Sequence, residues 1–317
     1  MTLSAPWLDR IRGFRELDLN DEVIKRITGG VLAYAAGDAF GVPFEFKTKR
    51  KLTEIATLEV VEGWPFGGVS DDTLLSLLTI QSIKESENVR AATGFLSLLK
   101  AALPQLRGLG PTTRSALGLT VNPQEIASIG NTNGGMMRTA LLGLAFKAKD
   151  SSERRECVTA LVSVTHRSLP AIECSIAISA LTSALIEFES NLSIKVLREI
   201  VTQELIEIQA SIIQEFSEFE PNHWSPPEEG ISLDPVTTLK AVLYTLANAE
   251  NCESVFRIAC SLGGDTDTVA ALSGAVFCIW KNSLHELLEI PWLQDLNWTE
   301  IETLVEAIEI LSYRRKL

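Results

Sequence analysis

The feature that most restricts the fold is a helical period that runs through nearly the whole chain. Apolar residues recur at three- and four-residue spacing over 73–84, 89–102, 136–149, 153–165, 170–188, 193–218, 236–249, 253–262, 268–282 and 299–313. Clusters of Gly, Pro, Asn and Ser separate these runs, as in GWPFGGVS at 63–70 and PNHWSPPEEG at 221–230. Alternating strand patterns are scarce, and 55–61 (IATLEVV) is the best candidate for one. Several runs, such as PAIECSIAISALTSAL at 170–185, are apolar on almost every face. Such a helix suits a central position wrapped by others. The expectation is an all-α domain over 21–317, preceded by an N-terminal extension, 1–20. With Trp7, Arg10, Arg12, Phe14 and Arg15, that extension reads as a packed extra helix, or alternatively as an arm that touches a partner. The segment 203–234, rich in Glu and aromatics, reads as a surface feature able to border a cleft.

Charge narrows the function. The formal net charge is −13, which disfavours nucleic acid and anionic membrane as partners, because phosphate binding is driven by Lys and Arg. An anionic ligand would need local neutralisation, and a bound metal supplies the largest local charge. The five cysteines form no C-x-x-C pair and read as buried, reduced thiols. The N-terminus carries charges where a signal peptide needs an apolar stretch, and no run approaches ~20 apolar residues. A cytoplasmic protein that acts as a monomer is the expectation.

Two acidic clusters carry the chemistry. Ser70-Asp71-Asp72-Thr73 directly precedes LLSLLTI, and Gly263-Gly264-Asp265-Thr266-Asp267-Thr268 directly precedes VAALSGAVF. Helix capping explains one carboxylate or hydroxyl at a helix start. It does not explain two carboxylates and a hydroxyl within four residues, twice, since the extra carboxylates repel each other unless a cation sits among them. Oxygen-only donors favour Mg²⁺, Ca²⁺ or Mn²⁺, and no Cys/His set has zinc spacing. Asp38 and Glu45 lie in a third segment, GDAFGVPFE. Gly130-Asn131-Thr132-Asn133-Gly134-Gly135 opens a helix and offers backbone N–H groups to an anion such as a diphosphate. It has neither dinucleotide nor P-loop spacing. Thr165-His166-Arg167 completes the set; a lone His is ordinarily structural.

GDAFGVPFE, SDDT, GNTNGGMMR, VTHRSLPA and GGDTDTVAALSGA occur in the order and at roughly the separations of the ADP-ribosylglycohydrolase family, which the chain resembles from about Asp21 onward. That family includes the hydrolase that reactivates ADP-ribosylated dinitrogen reductase, ADP-ribosylarginine and ADP-ribosylserine hydrolases, and some crystallins. The resemblance implies an orthogonal multi-helix bundle with a central dinuclear metal cleft holding two ions, Mg²⁺ or Mn²⁺. By position it implies Ser70, Asp71 and Asp72 as metal ligands from one side and Asp265, Asp267 and Thr268 from the other. Glu45 and Asp267 take catalytic roles, and Asp38 a supporting one. Asn131, Thr132, Asn133, Gly134 and Gly135 cradle the diphosphate and ribose. His166 lines the ADP-ribose cleft, and Gly108 and Gly110 border the substrate. The implied partners are an ADP-ribosylated protein and ADP-ribose.

Four departures stand out. Ser70 replaces the usual Thr. Thr132 interrupts the usual G-N-G. Gly108-Leu109-Gly110 stands where some members place a catalytic aspartate, which shifts that role to Glu45. Phe277, Cys278 and Trp280 replace smaller residues. The expected reaction is Mg²⁺-dependent removal of ADP-ribose from a modified arginine, with serine or O-acetyl-ADP-ribose as other acceptors. The alternative is a non-catalytic ADP-ribose-binding member, or one that neutralises an ADP-ribosyltransferase toxin. A dimetal phosphoesterase is disfavoured because the only histidines are His166, His223 and His285.

Overall fold

A computed structural model describes residues 5–84, 88–119, 130–188 and 192–317. Among these residues are fourteen α-helices and no strand, so the chain is all-α. In chain order they are α1 (Glu22–Gly41), α2 (Asp71–Ser82), α3 (Asn88–Ala102), α4 (Pro111–Ala116), α5 (Gly134–Thr139), α6 (Ser151–Val162) and α7 (Leu169–Leu185). There follow α8 (Ile194–Glu207), α9 (Ile213–Ser217), α10 (Pro235–Asn248), α11 (Cys252–Ser261), α12 (Thr266–Lys281), α13 (Leu284–Leu288) and α14 (Leu304–Lys316). Many starts are written in the sequence as side-chain caps. Asp21 accepts from the N–H groups of Val23 and Ile24, Asp234 from Thr237 and Asn251 from Ser254.

The centre of the molecule is the pair α1 and α12, both buried along most of their length. Their backbones nearly touch. A Cβ on Gly37 would lie 2.2 Å from the Ala270 carbonyl oxygen, and one on Gly41 2.3 Å from Asp267 Cα. Only glycine permits that approach, and it sets Asp38 and Asp267 on adjoining turns of facing helices. The apolar α7 is also buried on nearly every face. Residues 5–20 form two 3₁₀ turns that bury Leu8, Ile11 and Phe14, and Trp7 stacks on Trp298 with ring centroids 5.3 Å apart.

Three local expectations differ from the structure. The run 136–149 is α5 followed by 3₁₀ turns, Ala140–Ala145 and Ala148–Asp150. At Gly143 the chain passes so close to α7 that a Cβ would meet the Ser179 carbonyl at 2.0 Å. The run 193–218 is two helices, because Gln209 adopts a left-handed φ of 53°. The segment 55–61 is no strand. Ile55 and Leu58 reach the core while Val60 is exposed, and no neighbouring strand offers a hydrogen-bonding edge. All five cysteines are buried and unbridged. No described helix is long and apolar enough to cross a membrane.

Candidate metal centre and cleft

The two acidic clusters start two helices that converge. Asp38, buried on α1, caps the start of α2 from outside that helix. Its carboxylate accepts from the Ser70 N–H at 3.0 Å, the Thr73 N–H at 3.0 Å and the Thr73 hydroxyl at 2.5 Å. The Ser70 hydroxyl accepts from the Asp72 N–H at 3.1 Å. With the helix start satisfied by Asp38 and Ser70, the Asp71 and Asp72 side chains are free for other work.

The second cluster is held by its glycines. Gly264 lies between two other segments: its N–H donates to the Lys47 carbonyl at 2.9 Å, and its carbonyl accepts from the Phe46 N–H at 2.7 Å. Asp265 N–H donates to the Ile231 carbonyl at 2.8 Å. Gly264 has a left-handed φ of 74°, and a Cβ there would lie 2.0 Å from the Ile231 oxygen. This junction brings the Glu45 turn, the end of the 203–234 segment and the start of α12 to one place.

The result is a cavity of about 220 Å³. Glu45, Asp71, Asp72, Asp265, Asp267 and Thr268 line it, with Gly108, Gly110, Thr132, Asn133, Gly134 and His166. Besides Asp38, three site residues singled out in the sequence are not on its wall. Ser70 is engaged as the helix cap. Asn131 is exposed and accepts from the Ser168 hydroxyl at 2.7 Å. Gly135 packs under Val162 and His166. Phe46, Thr113, Met137 and Leu233 also line the cavity. Nothing in the local sequence marks them, although Leu233 ends the segment read as able to border a cleft. Phe46 is unusual: the residue is 69% exposed and its backbone φ is 54°, a conformation that costs a bulky residue energy.

Five carboxylates line this small cavity, Asp38 lies behind them, and no described Lys or Arg faces it. Burial first, and then mutual repulsion, holds the Asp71, Asp72 and Asp267 carboxyls well above the usual range. Asp38 and Asp265 are raised by burial as well. Glu45, half-buried, is pushed up to about 7 by burial and by the charges of Asp265 and Asp38. Asp265 is tied down by the Asn133 amide, which also reaches the Thr238 hydroxyl at 2.9 Å.

The donors fit a hard divalent cation. One carboxylate oxygen from each of Glu45, Asp265 and Asp267 lies within 4.8 Å of the others. Asp72 Oδ2 is buried without a hydrogen-bond partner, although the Thr268 side chain interacts with the same carboxyl group. A buried carboxylate oxygen left bare is costly unless a cation meets it. All donors are oxygen, which suits Mg²⁺ or Mn²⁺ over zinc.

Comparison with known proteins gives a consistent result. The sequence model of the ADP-ribosylglycohydrolase family matches residues 19–316. No curated protein matches the chain. A solved structure described as an ADP-ribosylglycohydrolase-related protein complex is similar, with a TM-score of 0.69 and 24% identity over 92% of this chain and 99% of that one. At that identity the likeness speaks to the fold.

Proposed function

From the premise that the chain belongs to the ADP-ribosylglycohydrolase family, we propose that it hydrolyses the glycosidic bond between ADP-ribose and a protein side chain, arginine first, with two Mg²⁺ ions. The observation that carries the reading is the convergence of both acidic clusters and Glu45 on one cavity. Residues 21–317 form the catalytic domain in this reading, and 1–20 an extension docked on it. The protein acts in the cytoplasm as a monomer.

Asp71 and Asp72 from α2, and Asp265, Asp267 and Thr268 from α12, would hold the ions. Ser70 is off the cavity wall but keeps a lone pair beyond its cap, and the family resemblance adds it to the first set. When bound, the ions supply Lewis-acid charge that orients the vicinal ribose hydroxyls and acidifies a water. They also remove the charge conflict between an anionic ligand and five carboxylates.

The chain's own residues do the rest. Cleavage at the ribose C1 builds oxocarbenium-like charge, as in glycoside hydrolysis. Glu45 has a carboxyl at the cavity wall, beside the carboxylates that would hold the ions. It is the group to move the proton between water and the leaving side-chain nitrogen, a role worth about 10²–10⁴-fold. Asp267 anchors the same wall from α12. Positioning by the 130–135 loop and the Gly108–Gly110 turn contributes part of the ~7–11 kcal/mol that orientation can supply.

The test is release of ADP-ribose from arginine- and serine-linked model substrates, with Mg²⁺ and with EDTA, for the native chain and Glu45→Gln. Metal-dependent release from the arginine linkage, lost in the variant, supports the reading. ADP-ribose binding without release from either linkage replaces it with a non-catalytic binding protein.

A further inference from the structure

Arg138, on α5, is completely buried, yet no described carboxylate pairs with it. Its guanidinium sits 4.4 Å from the centre of the Phe95 ring and donates to the Leu161 carbonyl at 2.9 Å and the Thr165 hydroxyl at 2.8 Å. Burying a cation without an anion is expensive, so a local benefit is to be sought. It lies in what the guanidinium does to the hydroxyl.

A guanidinium can only donate. Thr165 Oγ1 must therefore accept from Arg138, and its own proton needs another acceptor. The His166 Nδ1 atom, 2.8 Å away, is the only other described partner of that hydroxyl. Nδ1 accordingly accepts, which leaves the hydrogen of a neutral ring on Nε2. Nε2 lies 2.9 Å from the Thr132 hydroxyl, and Thr132 in turn donates to the Thr112 hydroxyl at 2.9 Å. The chain of donors runs one way, from Arg138 to Thr165, His166, Thr132 and Thr112. Burial and the charge of Arg138 both disfavour a protonated ring, which is consistent with the neutral form.

We propose that Arg138, acting through Thr165, locks His166 in the Nε2–H tautomer and so makes the Thr132 hydroxyl face the cleft as a hydrogen-bond acceptor. Three consequences follow. Both His166 nitrogens are occupied, so His166 is a positioning residue and offers neither a base nor a donor to a ligand. Thr132, its proton committed to Thr112, has one lone pair left. It selects a hydroxyl or N–H donor on the ligand, such as a ribose hydroxyl, and disfavours a phosphate oxygen. Only this last consequence rests on the proposed ADP-ribose substrate.

The experiment is nitrogen NMR of histidine-labelled protein without metal or ligand, with His166→Asn to identify the His166 signal. The native protein is expected to show the Nε2–H form. Arg138→Met frees Thr165 to accept from Nδ1–H and shifts the ring toward that tautomer. Thr165→Val removes the lock and keeps the buried cation, which retains the Leu161 carbonyl as acceptor, and serves if Arg138→Met does not fold; Thr165→Ser restores it. Calorimetry with ADP-ribose then reads the second half. Thr132→Val weakens binding by roughly 3- to 10-fold, the worth of one neutral hydrogen bond, and adding Arg138→Met or Thr165→Val weakens it little further. An Nδ1–H or charged ring in the native protein, or a tautomer unmoved by both Arg138→Met and Thr165→Val, overturns the lock. Absence of ADP-ribose binding by the native protein removes the ligand half together with the substrate assignment, and leaves the tautomer result standing.

Discussion

At the scale of single residues, the cavity separates activity from stability. Asp267 is one of several buried carboxylates that repel each other. Asp267→Asn keeps the shape and removes one charge. We expect the metal-free variant to melt no lower than the native protein, and turnover to fall by at least about 10²-fold, beyond the ~10–100-fold usual for a residue that only supports a metal ligand. Paired thermal melts and ADP-ribose release assays read the two effects, and native turnover in the variant would remove Asp267 from the site. Phe46 gives a second separation. Its left-handed backbone costs on the order of 1–3 kcal/mol, while the largely exposed residue recovers little by burial. Phe46→Gly is expected to leave folding stability unchanged or raised by about 1 kcal/mol, and to lower kcat/KM through loss of the ring at the cavity wall. A variant that loses stability and keeps kcat/KM would show the ring to be structural. The acidic residues were legible in the sequence because adjacent carboxylates at a helix start have no comfortable explanation without a cation. Phe46, Met137 and Leu233 were not, since a backbone angle and a contact between distant segments leave no local trace.

At the scale of elements, site geometry depends on how closely α1 meets α12. Gly41→Ala places a methyl 2.3 Å from Asp267 Cα, so the helices must separate. Overpacking of this kind costs typically ~1–3 kcal/mol, and here it also displaces a proposed ligand. The expected result is a modest drop in melting temperature with a much larger drop in Mg²⁺ affinity by calorimetry. Equal and small effects on both would mean that the crossing has slack. Helix starts were readable from where the apolar period begins, as at 236 and 253, and the structure places the caps Asp234 and Asn251 just before them. The breaks after Thr139 and near Gln209 were hidden, because periodicity persists across them while tertiary contact dictates the backbone. The candidate strand at 55–61 failed for a related reason: alternation describes a strand only when an edge exists to receive it.

At the scale of the whole molecule, buried acid couples stability to pH and metal. The Glu45 carboxyl binds its proton up to about pH 7 in the fold, against an ordinary value of 4.5, and its neighbours are raised in the same direction. The folded chain thus holds more protons than the unfolded one in this window. A raised carboxyl contributes stability that is fully present below about pH 4.5 and is lost as pH rises through about 7. Metal binding requires the deprotonated carboxylates, so its benefit runs the other way. Thermal melts with Mg²⁺ and with EDTA should differ little at pH 5 and clearly at pH 8; an equal difference at both would place the bound metal away from these carboxylates. The all-α class was legible from periodicity alone, whereas the cavity's shape was not, because seven separate stretches of the chain, from Glu45 to Thr268, build it.

The junction at Gly264 adds a consequence in time. It joins the turn at Phe46–Lys47 to Ile231 and to the start of α12, contacts of very long sequence separation. Such contacts close late, after large losses of chain entropy. During synthesis the Asp71–Asp72 half is complete long before Asp265 emerges, so a nascent chain carries half a cation trap with nothing to close it. If the proposed ions bind as assigned, their capture marks the end of folding, and a burst of Mg²⁺-dependent fluorescence change is the expected signal of that last step.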